Sequence, residues 1–265
     1  MKSRALWMLP LLVLALASAS CGHSGGAGDA MAKNSDGLPT VDEVIARFVE
    51  VTGGESAWES VESYRADGKL EMPAMGLSAS VVMMGNTSGD SVMEVEIPGA
   101  GKQAQGVSGD VVWELSLMSG PRLVEGEEAA SNKRRADMAW FVDWKKHYSK
   151  GACVGTEEAN GEMCYRLELT TPEGSEETHF YSVDSGLERA ISMTVKHQMG
   201  DIPASVEINE YTDFGGLRIA SGMIQRAAGM DQVITISSFV KNPDLPADAF
   251  AVPEAIKALL PAGGN

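Results

Sequence analysis

The sequence predicts a mainly β (α+β) chain: one run of antiparallel strands that curls into a barrel or half-barrel, with helices before, within and after it. Three observations carry that prediction. Across residues 64–240 about ten short segments alternate apolar with polar residues, the period of a strand with one buried face. Glycine, proline and asparagine punctuate them closely, as at Pro73, Gly76, Asn86, Gly89 and Pro98-Gly99, which favours hairpins over long crossovers. Helical periodicity is confined to the start, a central aromatic stretch and the C-terminal end, and no repeat of roughly 20 to 50 residues divides the run.

The first element is a targeting segment over residues 1–20. Lys2 and Arg4 lead an apolar run over 6–19, about 14 residues, which is short for a bilayer span and the right length for a secretory signal. Small residues then lead into Cys21, an arrangement that resembles a bacterial lipoprotein signal and implies lipidation of Cys21 after cleavage. Ser18 stands where such signals usually carry leucine, and Ala17-Ser18-Ala19 also fits an ordinary secretory cleavage site. Residues 21–38, rich in Gly, Ser, Ala and Asn, read as a flexible tether. Residues 39–265 read as the folded domain.

Within that domain, Val41, Val44, Ile45, Phe48 and Val49 lie on one face of a helix. Thr40 and Glu43 have capping-box spacing, and Gly53-Gly54 supplies the stop. A second helical piece at 56–61 includes Trp58. Strands follow at 64–72, 77–84, 91–97 and 111–117; in the last, Trp113 and Leu115 share a face that excludes Glu114 and Ser116. At 136–148 helical spacing aligns Trp140, Phe141, Trp144 and Tyr148, which predicts a helix docked on the sheet and able to act as a lid over an apolar hollow. Lys133, Arg134 and Arg135 would oppose the dipole at the start of that helix, so they read as a solvated loop. Strands resume at 164–170, 178–183, 188–196, 204–213, 217–227 and 232–240, with tight turns at Asp184-Ser185-Gly186 and Phe214-Gly215-Gly216. A short helical end lies within 245–260.

Composition excludes several function classes. The chain has 21 basic and 37 acidic residues, a formal charge of −16, which argues against a nucleic-acid partner because phosphate contacts need a basic surface. No stretch after the signal is long and apolar enough for a transmembrane helix. The four histidines, His23, His147, His179 and His197, fall in no zinc-ligand spacing, and His179 and His197 read as solvated or cross-strand residues. Gly106-Val107-Ser108-Gly109-Asp110 lacks the spacing of a nucleophile elbow, and no phosphate loop is present. The acidic runs at 125–128 and 173–177 read as solvated turns. No metal, cofactor or catalytic residue is therefore expected. The chain carries 15 methionines, and flexible, polarizable side chains of this kind suit either core filling or an adaptable greasy surface.

If Cys21 carries lipid, Cys153 and Cys164 remain as a pair in an oxidising compartment. Asn160-Gly161 between them is a strong hairpin signal, and a two-residue turn there sets Glu157, not Cys153, opposite Cys164. The cysteines would then be offset by about 13 Å at strand rise, so a disulfide requires a longer loop or a bulge. The alternative is two half-buried thiols acting as small apolar side chains.

Several stretches together resemble the outer-membrane lipoprotein-sorting-like proteins of bacteria, relatives of the LolA/LolB carriers. They are LPTVDEVIARFVEVTGG, SYRADGKLEMPAMGL, VGTEEANGEMCYRLELTTPEG, FYSVDSGLERA and LPADAFAVPEAIKALL, and the resemblance spans about residues 38–260. It implies a strongly curved antiparallel half-barrel of about ten or eleven strands, with helices across its open face and an apolar pocket for lipoprotein acyl chains. By the same resemblance, Gly22 after Cys21 implies the outer membrane.

These readings converge on a non-enzymatic, periplasm-facing lipoprotein, anchored through Cys21, that binds lipid or lipoprotein acyl chains. Trp113, Leu115, Trp140, Phe141 and Trp144 are the expected lining or cover of the cavity. The alternatives are an interaction module for an envelope protease or assembly system with an unidentified protein partner, and a hydrolase, for which no nucleophile has a recognisable base. Mass spectrometry of protein isolated from its own membrane is expected to find acyl groups on Cys21; a mature chain with an unmodified thiol would return the segment to simple secretion.

Overall fold

The computed structural model describes residues 37–197 and 200–261. The signal, most of the tether, Cys21 and His23 lie outside the described residues. Two meanders make up the fold. The first comprises β1 (Ser63–Met72), β2 (Leu77–Asn86), β3 (Ser91–Ile97), β4 (Gly101–Ser108), β5 (Val111–Ser116) and β6 (Gly120–Val124). The second comprises β7 (Lys150–Ala159), β8 (Glu162–Thr170), β9 (Glu176–Ser182), β10 (Glu188–His197), β11 (Gly200–Asp213), β12 (Arg218–Ala227) and β13 (Met230–Lys241). Within each meander every strand pairs with its sequence neighbours. The pairing of β1 with β13, from Tyr64 opposite Lys241 to Glu71 opposite Val233, joins the two into one 13-stranded antiparallel sheet. The sheet is curved and open, and β6 and β7 are its edges.

The strand number corrects the ten or eleven expected. The additional strands are β4, β6 and β7. Gly101, Gly106, Gly120, Pro121, Gly151 and Gly155 fall in them, and such residues carry little β-propensity of their own. Here cross-strand pairing overrides local preference.

Helices cover the face that holds the main core. In α1 (Val41–Val51), Thr40 N donates to Glu43 Oε2 at 2.7 Å and Glu43 N to Thr40 Oγ1 at 3.3 Å, a complete capping box. Val41, Val44, Ile45 and Phe48 form its buried stripe. After the Gly53-Gly54 break, α2 (Glu55–Glu59) buries Trp58, whose Nε1 donates to Thr52 Oγ1 at 3.0 Å. The expected helix at 136–148 is displaced. A helix, α3, instead spans Gly126–Ala136, turns follow, and α4 is short, Trp144–His147. The dipole explains the shift: Glu127 and Glu128 occupy the first turn of α3 and Lys133, Arg134 and Arg135 its last, the favourable arrangement at both ends. The basic cluster therefore closes a helix rather than preceding one.

This connection has a topological consequence. It leaves the sheet at one edge, β6, and rejoins it at the other, β7. Residues 125–149 must therefore cross the open side of the curved sheet.

The opposite face of β2–β5 has a smaller core. There Met84, Val92, Ala104 and Trp113 pack with the C-terminal segment, including Leu245, Phe250 and α5 (Glu254–Lys257) through Ile256. No described helix is long and apolar enough to cross a membrane.

Cys153 and Cys164 are both free and buried, which corrects the expected disulfide. The physical reason is the register. Asn160 and Gly161 both have positive φ, 49° and 76°, so the turn is tight; Cys164 faces Glu157 and Cys153 faces Leu167. A bulge between Cys153 and Gly155 does not bring the sulfurs together. In a variant lacking Cys21, native protein is expected to resist a bulky maleimide, and two thiols per chain should label in denaturant. Loss of labelling without reductant would restore the disulfide.

Candidate functional site

The chain crossing the open side forms a lid over an interior cavity. Phe141 is its anchor. Its ring meets Phe48 of α1 edge-to-face at 4.9 Å and Trp58 of α2 at 5.0 Å. Each such pair contributes about 0.5–1.5 kcal/mol beyond the apolar area it buries. Trp140, half-buried beside Phe141, lies 5.3 Å from the Tyr148 ring and 5.1 Å from the His179 ring. Beneath it is a cavity of about 100 Å³, lined in part by Met138, Met193 and Met223.

On the outer side, Asp42 latches the lid to α1. Its Oδ1 accepts from Trp144 Nε1 at 2.7 Å and its Oδ2 from Lys145 Nζ at 2.8 Å. Burial would raise the Asp42 carboxyl, but these two partners outweigh it and lower its pKa. A groove of about 380 Å³ between α1 and the lid is lined by Ile45, Val49, Phe141 and Trp144, among others.

Of the expected lining residues, Trp140 and Phe141 reach the interior cavity, and Phe141 and Trp144 line the outer groove. Trp113 and Leu115 belong elsewhere. Strand alternation turns Val112 toward α3, where it packs with Ala136, and puts Trp113 and Leu115 on the opposite face beneath the C-terminal segment. Sharing one strand face told correctly that they lie together, but not which side of the sheet they occupy.

The cavity also contains a charged cluster that sequence reasoning assigned to the surface. On β9, Glu177, His179 and Tyr181 alternate onto the buried face. On β10, Glu188 and Ile191 are three apart and would ordinarily face opposite sides. A bulge between Glu188 and Ala190 turns both inward. His179 Nδ1 sits 2.6 Å from Glu188 Oε1, and Nε2 lies 3.6 Å from Glu177 Oε2. The second distance is too long for a hydrogen bond and acts through charge. Glu177 also accepts from Tyr148 Oη at 2.6 Å and from Arg134 Nη2 at 3.2 Å. Arg134 is shared with Glu173 at 3.1 Å. The available signal was the in-phase pattern Glu177, His179, Tyr181, which places charge on the same face as an aromatic ring.

Burial opposes charge on His179, but the Glu177 and Glu188 carboxylates overcome it and hold its pKa up to about 9. Burial likewise pushes Glu177 up. His179, followed by Arg135 and Arg134, outweighs that and leaves Glu177 well below the ordinary carboxylate range. The imidazole is therefore cationic at neutral pH. Among the described residues no cluster of His, Cys, Asp and Glu could hold a metal ion, and the cluster links lid to sheet: Arg134 and Tyr148 belong to the crossing segment, Glu177 and His179 to β9.

No protein-family model matches the sequence, and no curated protein matches it. Solved structures do. A LolA superfamily protein from Nitrosomonas europaea superposes with a TM-score of 0.55 at 16% identity, covering 81% of this chain and 99% of that one. The chain has the LolA-like fold. A DUF1329 family protein from Desulfovibrio piger is similar to the same extent, with a TM-score of 0.54 at 15% identity over 79% of this chain and 95% of its own. The curved sheet and helical cover agree with the expected half-barrel, and the buried ionic cluster adds chemistry to its interior.

The cluster predicts a pH profile. The folded pKa of His179, about 9, exceeds its ordinary 6.5. Its stabilisation is complete below pH 6.5 and is lost as pH rises through 9, a total on the order of 3 kcal/mol. Glu177 has the opposite sign: its contribution is present above its ordinary 4.5 and is lost on acidification. Thermal melts from pH 4 to 10 should show the alkaline decline in wild type and its absence in His179→Gln. Parallel profiles for the two proteins would reject a cationic His179.

Proposed function

We propose that this chain is a non-enzymatic lipoprotein of the bacterial cell envelope, facing the periplasm, that holds acyl chains of a lipid or lipoprotein beneath its lid. In this reading residues 1–20 are removed, Cys21 carries the lipid that anchors the chain at the outer membrane, residues 21–38 form the tether, and residues 39–265 bind. The observation that carries the reading is the lid. The one connection between the two sheet edges lays Trp140 and Phe141 over a methionine-lined hollow, with Asp42 as its polar fastening. The LolA-like fold and the signal-like N-terminus support it.

The hollow is smaller than the roughly 150 Å³ of an engineered cavity that admits benzene, at about 100 Å³. An acyl chain therefore enters only when the lid moves. Phe141 would leave the Phe48–Trp58 pocket, and the hydrocarbon would take its place. Burial of each methylene returns about 0.8 kcal/mol, enough for a long chain to offset the displaced aromatic contacts.

The same small volume favours a second reading, an interaction module whose interior is a packed core. Co-purification of one stoichiometric protein partner without bound lipid would support that alternative.

Uptake of a fluorescent fatty acid tests the first reading. Replacing Trp140 and Phe141 together by serine is expected to weaken uptake at least about tenfold, since each ring offers the hydrocarbon apolar contact worth on the order of 1 kcal/mol. Asp42→Ala should speed uptake by releasing the latch. Unchanged uptake in both variants would remove the lid from the mechanism.

A further inference from the structure

One cation lining this cavity makes no direct ion pair among the described residues. Arg134, on α3, is held by Glu173 and Glu177. Arg122, on β6, is held by Glu114 and Glu128. Arg135, beside Arg134, has no carboxylate within ion-pair distance among the described residues. Its Nη2 contacts Met193 Sδ at 3.0 Å, and a thioether is a weak acceptor. Burial lowers the Arg135 pKa, yet a guanidinium keeps its proton. The side chain is half-buried, and Glu177 acts on it through charge from beyond ion-pair distance.

A second donor in the same cavity is also unmet. His179 Nε2 is buried and has no hydrogen-bond partner, while Nδ1 is engaged by Glu188. The protonated ring therefore presents an N–H whose facing carboxylate, Glu177 Oε2 at 3.6 Å, is too far to accept a hydrogen bond. Across the cluster the cations Arg134, Arg135 and His179 meet the carboxylates Glu173, Glu177 and Glu188, but Glu173 reaches Arg134 from the solvent side and Glu188 engages His179, so none of the three pairs with Arg135. Arg135 also lines a second hollow of about 30 Å³, beside Tyr64 and Met83, so its side chain stands between the two spaces.

We propose that Arg135 and His179 form the headgroup site for an amphiphile with an anionic head, a carboxylate or phosphate, whose hydrocarbon tail lies against Trp140, Phe141 and the methionines. The inference rests on the acyl-chain reading above and adds to it the charge of the ligand. A carboxylate at Arg135 accepts the hydrogen bonds that the Met193 thioether takes only weakly, and it pairs with the guanidinium charge. A neutral ester or alcohol accepts such a bond but brings no charge of its own.

The test compares a long-chain fluorescent fatty acid with its methyl ester, both below their aggregation concentrations at pH 7.5, on the full mature protein. Wild type is expected to prefer the acid by about tenfold or more, the scale of one charge-assisted hydrogen bond. Arg135→Met should abolish the preference while still binding the ester, and Arg135→Lys should retain most of it. Acetate and inorganic phosphate, which have the charge without the tail, should not displace the fatty acid at millimolar concentration.

Equal affinity of wild type for acid and ester overturns the headgroup site and leaves acyl binding standing. A preference that persists in Arg135→Met overturns the role of Arg135. Displacement by phosphate alone would make the site one for a free anion and not for a lipid. Failure of wild type to bind either probe overturns the acyl-chain reading, and the headgroup site with it.

Discussion

The pairing of β1 with β13 is the constraint on which the rest of the molecule depends. Every other strand pair joins neighbours in sequence, and such pairs close short loops at small entropic cost. This one brings Tyr64 beside Lys241. Without it there are two separate meanders, each with an unprotected edge in what is now the middle of the sheet. With it, the outer edges become β6 and β7, and the segment between them has to span the open side. Lid, cavity and buried cluster all follow from that one seam. Tyr64 illustrates the coupling: its ring stacks on Phe239 of β13 at 5.7 Å, and Gly85 of β2 leaves it room, since a Cβ there would lie 2.5 Å from the ring.

The cavity combines three kinds of fastening with different responses to their surroundings. The aromatic contacts of Phe141 are apolar and short-ranged, and salt leaves them largely unchanged. The Asp42 latch is exposed, so ions screen it. The Arg134–Glu177–His179–Glu188 cluster is buried and scarcely screened. It is directional, tying Tyr148 and the end of α3 to β9 and β10 in one arrangement. The lid is thus held firmly at its two ends, near Arg134 and Tyr148, and more loosely at Trp144, where it meets solvent.

Much of this was legible in the sequence where a local rule decided the outcome. The Thr40–Glu43 capping box, the Asn160-Gly161 turn and the register of Glu157 against Cys164 are set by neighbours only a few residues apart. The misplaced helix had a visible signal, acidic residues at 127–128 and basic ones at 133–135, but the aromatic spacing at 140–148 competed with it. Those aromatics satisfy helical periodicity because Trp140, Phe141 and Tyr148 line the same cavity, not because they share one helix. The strands β4, β6 and β7 carry too much glycine to announce themselves. The face of Trp113 depended on which side the C-terminal segment covers, a long-range fact. Glu177, His179 and Glu188 resembled surface charge because each is ordinary alone; the bulge at Arg189 and the approach of α3 bring them together inside.

An open sheet of this width carries a hazard at β6 and β7, whose outward backbone groups could template further strands. The sequence at these margins opposes such growth. Pro121 removes a donor from β6, and Arg122 beside it is drawn back by Glu114 and Glu128. Along β7, Glu157 and Glu158 are exposed, and the irregularity at Val154 interrupts the ladder. A neighbouring copy that tried to add its margin would meet carboxylates, a missing amide and a twisted backbone. The glycine and proline content that conceals these strands from pattern recognition thus also disfavours pairing at the two margins.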